Sequence, residues 1–571
     1  MKKMKPKRVA GIDWIDSYSL KISSPFIEDS LLHLINLSIN KSKFSPRWKP
    51  QLIFPTHKKK EKDLIENFRP VSHLVQVGKM VEYAVYFQIV EHFIGHNLFH
   101  PNHHGSLANH STATALIQLV DMWIEAADNQ ELSGVCLLDQ SAAYDLLCHE
   151  TLKNKLSLYN FSDGSIEWLM SYLGGRTQLV QVESRRSSPL NCDDDGVPQG
   201  SVLGGLLHVI NSNDFPACHE VGESVIYVDD DSDCVRASDP AVLRNLIEQE
   251  ACNSAQWLKD KRLCVAGEKS KLLVVGTRQL RESKVNSEVK ICVDGKEITA
   301  TNSEKLLGVV VNDQLTWKNH LYGDKDHEGL IPQLAKRIGM LKRLAKYMSK
   351  EKLRSFSSGI FYSKLSYCLP VFGNVFGMDR YKEENSRYSS FTVRDNNNLQ
   401  VLQNKLNRLI LDAEYNTPTE VLLHQSDSLS IQQMIAYQTA VTSFKIIKSK
   451  KPTYIADKLK EKSRSMHLRG REGGIHQPGY SLSICREGFI YRSASLFNML
   501  DENLRNEEKL EKFKAGMRSW VKENIHTKPK AKFPNLTAGR VNQQQPPPDP
   551  PPPVNDIRRY FLPVQQNALL N

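Results

Sequence analysis

Val225-Ile226-Tyr227-Val228 runs straight into Asp229-Asp230-Asp231, and β-type residues resume through Ser232-Asp233-Cys234-Val235. That pattern reads as a strand, a tight turn and a second strand, with Asp229 and Asp230 at the turn. Adjacent carboxylates at about 4 Å repel by roughly 4 kcal/mol at an effective dielectric near ~20. A fold that gathers several of them calls for cations, and hard divalent ions with oxygen ligands meet that need. A solvated acidic turn is the bland alternative for an isolated Asp-Asp. The decision rests on what else the chain supplies.

At 571 residues the chain has room for several domains and a large core. The formal charge of +11 suggests a polyanionic partner. Ten scattered cysteines form no C-x-x-C pair, which argues for reduced thiols and against a disulfide framework or a structural zinc site. The basic start, Met1 to Arg8, lacks the apolar stretch of a secretion signal, and no run approaches membrane-spanning length. A soluble intracellular protein without a membrane partner is expected, and the basic start could serve as a nuclear address.

Ile27, Leu31, Leu34 and Leu37 have helical spacing and predict one buried face. A proline-bracketed strand over 50–55 leads to the lysine run Lys58, Lys59, Lys60 and on to Asn67-Phe68-Arg69-Pro70. Such a run is either a solvated loop or a cationic flap over a triphosphate, with Arg69 held extended by Pro70. Residues 79–93 predict a helix, and Ser111-Thr112 caps another. Between them His96, His100, His103, His104 and His110 lack helical ligand spacing, so surface or polar-core histidines are expected rather than a metal site.

Gly134 to Leu138 is an apolar run that delivers Asp139 at its end, and an unpaired buried carboxylate there would be costly. Asp145, six residues on, suits a helix N-terminus. Gly196, Gly200 and Gly204 recur four apart where loop becomes helix. They serve either close helix packing or approach of the backbone to a substrate. Lys269 precedes a strand, and Leu306 to Val311 predicts a further hairpin. Leu334, Ile338, Leu341, Ala345 and Met348 line one face of a helix over 334–350, and Lys336, Arg337, Lys342, Arg343 and Lys346 populate the others. That helix suits a phosphate backbone. Residues 380–540 read as helix-rich, and the Gln/Pro-rich stretch after 542 as an extended tail that could dock a protein partner.

Taken in order, Asn67-Phe68-Arg69-Pro70-Val71-Ser72, Leu138-Asp139 through Tyr144-Asp145, Gly196-Val197-Pro198-Gln199-Gly200-Ser201-Val202-Leu203-Gly204 and Tyr227-Val228-Asp229-Asp230 closely resemble reverse transcriptases of non-LTR retrotransposons, of the jockey-like or LINE-like kind. Glu268-Lys269-Ser270, Leu307-Gly308-Val309 and Trp317 with His320 are weaker matches, and the resemblance spans most of residues 1–500.

The resemblance implies an α+β right-hand polymerase of fingers, palm and thumb, followed by a helix-rich C-terminal region and a disordered Pro-rich tail. Its expected boundaries are fingers over 1–130, palm with interleaved fingers over 131–280, and primer-grip hairpin and helical thumb over 281–380. A helix-rich region of unknown role covers 381–540, and the tail covers 541–571. Asp139, Asp229 and Asp230 are then the ligands of two Mg²⁺ ions, with Mn²⁺ as the alternative, and Lys269 is the lysine that protonates pyrophosphate. Arg69, Lys58 and Lys59 would meet the triphosphate, Tyr144 would exclude a 2′-hydroxyl, and Gln199 and Gly200 would contact template and incoming dNTP. Leu307 and Gly308 would form the primer grip, and Lys336, Arg337, Lys342, Arg343 and Lys346 the nucleic-acid face of the thumb.

The implied function is RNA-directed DNA polymerisation from a DNA primer on an RNA template, in a nuclear or nucleocytoplasmic setting. The alternative is a catalytically inactive nucleic-acid-binding relic. The family has a hydroxyl residue where Asp231 stands, which predicts an extra negative charge beside the metals. It has Pro, Phe and Asn where Gly205, His208 and Ala266 occur. Neither an endonuclease nor an RNase H carboxylate set is seen, which suggests the polymerase part of an element.

Overall fold

The computed structural model describes residues 6–58, 61–141, 144–192, 195–265, 270–285, 288–375, 390–460 and 474–525, and of Asp139 it describes the backbone alone. The architecture is α+β, as expected, and helices dominate after residue 317. Lys59, Lys269, Ala266 and the Pro-rich tail lie outside the described residues.

α1 (Ser17–Asn40) starts at Asp16, whose carboxylate accepts from Ser19 N at 2.6 Å. Its expected stripe is only partly buried. Leu31 is covered, whereas Leu34 and Leu37 are 40% and 44% exposed, because the helix rests on one side against the helix after β2. β1 (Gln51–His57) and β2 (Phe68–Leu74) pair antiparallel, with Thr56 opposite Arg69. α2 (Gln76–Gly95) and α3 (Thr112–Asp128) follow. Ser111 and Thr114 satisfy each other's backbone N–H at the start of α3, closing a capping box.

β3 (Leu132–Ser141), α4 (His149–Leu158), α5 (Asp163–Leu173) and β4 (Thr177–Val182) come next, and β4 joins β1 in parallel to give a first sheet with the order β2-β1-β4, to which two-residue strands at 185–186 and 190–191 add beside β4. After α6 (Gly204–Ser212) the acidic stretch forms the hairpin β5 (Glu223–Tyr227) and β6 (Asp230–Ala237). α7 (Pro240–Asp260), β7 (Lys271–Val275), β8 (Lys290–Val293) and β9 (Lys296–Thr301) then build a second sheet ordered β8-β9-β7-β3-β6-β5.

β3 reads as near-continuous apolar sequence because both of its faces are covered. Val135 belongs to the core shared with α3, and Cys136 and Leu138 belong to the core under α7. A third core joins α2, α4, α5 and α6. The His-rich loop lies along β5, with Ile226 N donating to Asn102 O at 3.0 Å and His104 N to Ile226 O at 2.8 Å. His103 and His104 are buried, and His104 bonds Thr114 and Gln118. Burial pushes the His104 imidazole down to about 3, so it is neutral.

β10 (Ser303–Leu306) and β11 (Val309–Asn312) form the predicted hairpin. The basic helix is α8 (Leu330–Leu344), which ends six residues earlier than expected. Ser349 caps a new helix by accepting from Lys352 N, so Ala345 and Met348 fall outside the stripe. α9 (Val393–Leu411), α10 (Ile431–Ser449), α11 (Phe489–Met499) and α12 (Leu510–Asn524) share one continuous core with α3 and the sheet. Polar clamps reinforce that junction. Lys458 donates to Asp121 at 2.6 Å, and Arg492, 4% exposed, donates to Pro370 O at 2.6 Å.

Candidate active site

The β5–β6 hairpin turns over two residues, Val228 and Asp229, with Tyr227 opposite Asp230. Only the first of the two has a positive φ, at +63°. That is the pattern of a II′ hairpin turn, which favours glycine at this position. A β-branched residue there costs about 1–3 kcal/mol and persists only if its surroundings hold it. Two neighbours do so. Gly105 packs its bare Cα against the turn, where a Cβ would lie 2.4 Å from Val228 N. Buried His208 donates through Nε2 to Val228 O at 3.0 Å.

β3 pairs with β6 so that Asp139 lies directly opposite Asp230. Opposed residues on antiparallel strands have Cα atoms about 4.5–5.5 Å apart. Two aspartate positions about ninety residues apart in the chain thus come to one end of the sheet. Asp231 departs from expectation. Asp230 is exposed, whereas Asp231 is 2% exposed and in register with Leu138, so strand alternation turns it to the face away from Asp230.

Tyr144 stacks on the His208 ring, with centroids 5.3 Å apart and planes at 19°. Burial pushes its hydroxyl up to about 12, and the neighbouring Asp229 carboxylate adds to the shift. The Gly-rich loop folds against this corner. Gly196 (φ +84°) and Gly200 (φ +106°) need a backbone that L side chains rarely adopt, and a Cβ on Gly196 would sit 2.7 Å from Asp145 O. Ser72 N donates to Gln199 O at 3.0 Å, which ties the loop to β2. Gln199 Nε2 reaches both Asp145 oxygens at 3.3 Å, so Asp145 orients Gln199 rather than capping a helix; Cys148 holds the α4 N-cap. Glu82, buried on α2, accepts from Val202 N at 2.7 Å and Leu203 N at 3.2 Å just before α6. Burial raises its carboxyl group, opposed by Arg176 and by those N–H donors.

Arg69 and Lys58 lie exposed at the loop end of the β1–β2 hairpin, where Lys58 N donates to Asn67 O at 2.8 Å. Leu307 and Gly308 form the two-residue turn of β10–β11, with φ of +47° and +83°. Tyr367 packs on Gly308 and donates to Leu307 O at 2.7 Å. The basic residues of α8 divide. Arg337 turns inward to Ile360 O at 2.6 Å, and Lys336 pairs with Glu328 at 2.7 Å. Lys342, Arg343 and Lys346 stay exposed.

Gly105, Glu82 and the contacts of His208 with Val228 and Tyr144 escaped the sequence reading. The one available signal was His208 itself, a polarisable ring where the resembling family carries phenylalanine. Among the described residues no group of three His, Cys, Asp or Glu side chains could hold a metal ion. Asp229, Asp230 and position 139 together are a hard, all-oxygen donor set of the kind Mg²⁺ or Mn²⁺ takes.

Residues 57–311 match the family described as reverse transcriptase (RNA-dependent DNA polymerase). That stretch is similar to the polymerase domain of this family. Among curated relatives, it is 26% identical over 330 residues to the RNA-directed DNA polymerase from mobile element jockey of Drosophila funebris, covering 56% of this chain and 35% of that one. The probable RNA-directed DNA polymerases from transposon X-element and transposon BS of Drosophila melanogaster are each 24% identical. They cover 67% and 77% of this chain, and 40% and 47% of their own lengths. The chain therefore spans less than half the length of these relatives. Apo telomerase from Candida tropicalis aligns over 74% of this chain and 71% of that one at 13% identity, with a TM-score of 0.34, too distant to argue from. The matched residues 57–311 contain β2 and β4 of the first sheet, the second sheet, the acidic hairpin and the β10–β11 hairpin up to Val311.

Proposed function

We propose that this chain is an RNA-directed DNA polymerase that adds dNTPs to the 3′-hydroxyl of a DNA primer on an RNA template. The register that puts Asp139 opposite Asp230, beside the turn that presents Asp229, carries the reading. Asp139, Asp229 and Asp230 would hold two Mg²⁺ ions. When bound, such ions lower the pKa of the attacking hydroxyl and neutralise charge on the leaving pyrophosphate. The protein's own contribution is positioning and fixed charge.

Arg69, with Lys58 and Lys59, meets the triphosphate, and Lys269 gives a proton to pyrophosphate. Gln199, held by Asp145, and the bare backbone of Gly200 contact template and incoming nucleotide. The Tyr144 ring excludes a 2′-hydroxyl. The Leu307–Gly308 turn, pinned by Tyr367, grips the primer, and exposed Lys342, Arg343 and Lys346 on and just after α8 track the backbone phosphates. Fingers over 1–130, palm over 131–280 and thumb over 281–380 belong to the same proposal, as does action in the nucleus. No helix among the described residues is long and apolar enough to cross a membrane.

Primer extension on poly(rA)/oligo(dT) with Mg²⁺ and dTTP tests the reading. Wild-type incorporation should exceed that of the Asp229→Ala/Asp230→Ala variant by orders of magnitude. Equal, background-level incorporation would leave an inactive nucleic-acid-binding relic.

A further inference from the structure

His208 stands between two groups of the proposed site and touches both. Its Nε2–H is donated to the carbonyl of Val228, 3.0 Å away, in the turn that presents Asp229. Its ring face lies against Tyr144, with centroids 5.3 Å apart and planes 19° from parallel. The residue is 1% exposed on α6, and its Nδ1 has no hydrogen-bond partner among the described residues. A carbonyl can only accept, so Nε2 carries a proton in this contact. Burial lowers the basicity of the imidazole.

Two features make these contacts more than core filling. Val228 sits at φ +63°, a conformation that a β-branched residue holds only when its surroundings compel it, and the carbonyl His208 grips belongs to that residue. Tyr144 has no hydrogen bond in the described structure that would fix its ring, so its plane is set by what it stacks on. One rigid ring on a buried helix therefore holds the metal-side turn through its edge and the sugar-side aromatic through its face.

We propose that His208 is a positioning residue that couples the Asp229 turn to the Tyr144 ring, setting the rate of nucleotide addition through the turn and sugar selectivity through the ring. The proposal rests on the polymerase reading above. A histidine that merely filled the core would affect both properties together, through folding. A coupling histidine lets them be separated, because its edge and its face can be removed one at a time.

His208→Phe keeps a ring against Tyr144 but removes the donor to Val228 O. His208→Gln keeps an amide donor within reach of that carbonyl but removes the ring. Single-nucleotide extension of oligo(dT) on poly(rA) is measured for each with dTTP and with UTP, alongside primer–template binding and a thermal melt. His208→Phe should lose about tenfold in kcat for dTTP, the scale of leaving one buried carbonyl unsatisfied, with its dTTP/UTP ratio near wild type. His208→Gln should lose less rate but about two- to tenfold in the dTTP/UTP ratio, the scale of one aromatic contact.

Adding His208→Gln to Tyr144→Val should cost no further selectivity, because the ring that His208 orients is already gone. The double variant keeps the test valid even where a single variant lowers the melting temperature. Parallel losses of rate and ratio in both single variants would overturn the proposal. So would an additive loss of selectivity in the double variant, or no change in either single one. If wild type extends no better than Asp229→Ala/Asp230→Ala, the polymerase reading itself fails. If wild type is active and the split is absent, only the role of His208 fails.

Discussion

Gly105→Ala is the sharpest perturbation of the site, because it adds one methyl group to a residue with no chemical function. Its Cβ would lie 2.4 Å from Val228 N and 2.6 Å from Val228 Cγ2. Ordinary contact begins near 3.4 Å, so the loop and the turn must part by about 1 Å. The turn is the more yielding partner, since it is already strained, whereas the loop beside Gly105 is tied to β5 by the hydrogen bonds of Asn102 and His104. Asp229 follows Val228 directly, so the displacement falls on a proposed metal ligand. A 1 Å misplacement of a catalytic group costs about 10²-fold in rate.

The assay is kcat for dTTP addition on poly(rA)/oligo(dT), with far-UV circular dichroism and a thermal melt to show that the fold survives. Gly95→Ala is the control, since a Cβ there meets nothing within 4 Å. Gly105→Ala should fall by about two orders of magnitude in kcat while still binding primer–template, and Gly95→Ala should match wild type. A folded Gly105→Ala enzyme within about twofold of wild-type kcat would refute the reasoning, because by the cited scale the hairpin would then not need its observed position.

Tyr144→Val should raise UTP incorporation relative to dTTP with little change in primer–template affinity; unchanged discrimination in steady-state extension would remove Tyr144 from sugar selection. Replacing Lys342, Arg343 and Lys346 by Gln should lessen the slope of log affinity against log salt by about 2 to 3, as measured by fluorescence anisotropy of a labelled primer–template. An unaltered slope would make them ordinary surface residues. Beneath the sheet, His219 Nε2 lies 3.1 Å from an Asp233 carboxylate oxygen and Nδ1 bonds Glu250 at 3.0 Å, and both its side chain and theirs are 1% exposed. Burial alone would lower its pKa, but the Asp233 and Cys218 contacts push it up to about 11. The folded state therefore binds this proton more tightly than the unfolded chain does. The resulting stability is full below the ordinary value of 6.5 and fades as pH rises toward 11. His219→Gln should destabilise by about 3–5 kcal/mol near neutral pH and flatten the fall in melting temperature between roughly pH 7 and pH 10. A variant whose melting temperature falls as steeply as that of wild type would refute it.

Much of the site was legible because its parts are local. Val225 to Val235 could only be two strands around a turn, since β-branched residues flank the carboxylates on both sides. Gly196 and Gly200 announced positions where a Cβ would not fit, and positive φ at both is the reason. The His-rich loop lacked ligand spacing, and its buried members turned out to be hydrogen-bonded core residues. Other readings went astray where an answer lay across the fold. Asp231 looked like an extra charge beside the metals, yet alternation along β6 buries it on the far face. Periodicity carried the basic helix to residue 350, but Ser349 offers a cap that starts a new helix. Asp145 resembled a cap and instead holds Gln199, more than fifty residues away.

The order of the motifs, the hairpin that presents Asp229 and the donor chemistry of the acidic set follow from residue types and spacing alone, because strand alternation, turn geometry and charge repulsion act over a few neighbouring residues. Tertiary structure decided the register that brings Asp139 opposite Asp230. It also decided which glycine must yield space to Val228, which ring Tyr144 rests on, and how the C-terminal helices share a core with α3. Those outcomes depend on contacts between segments far apart in the chain, where packing and hydrogen-bond satisfaction select the partner and local periodicity carries no information about it.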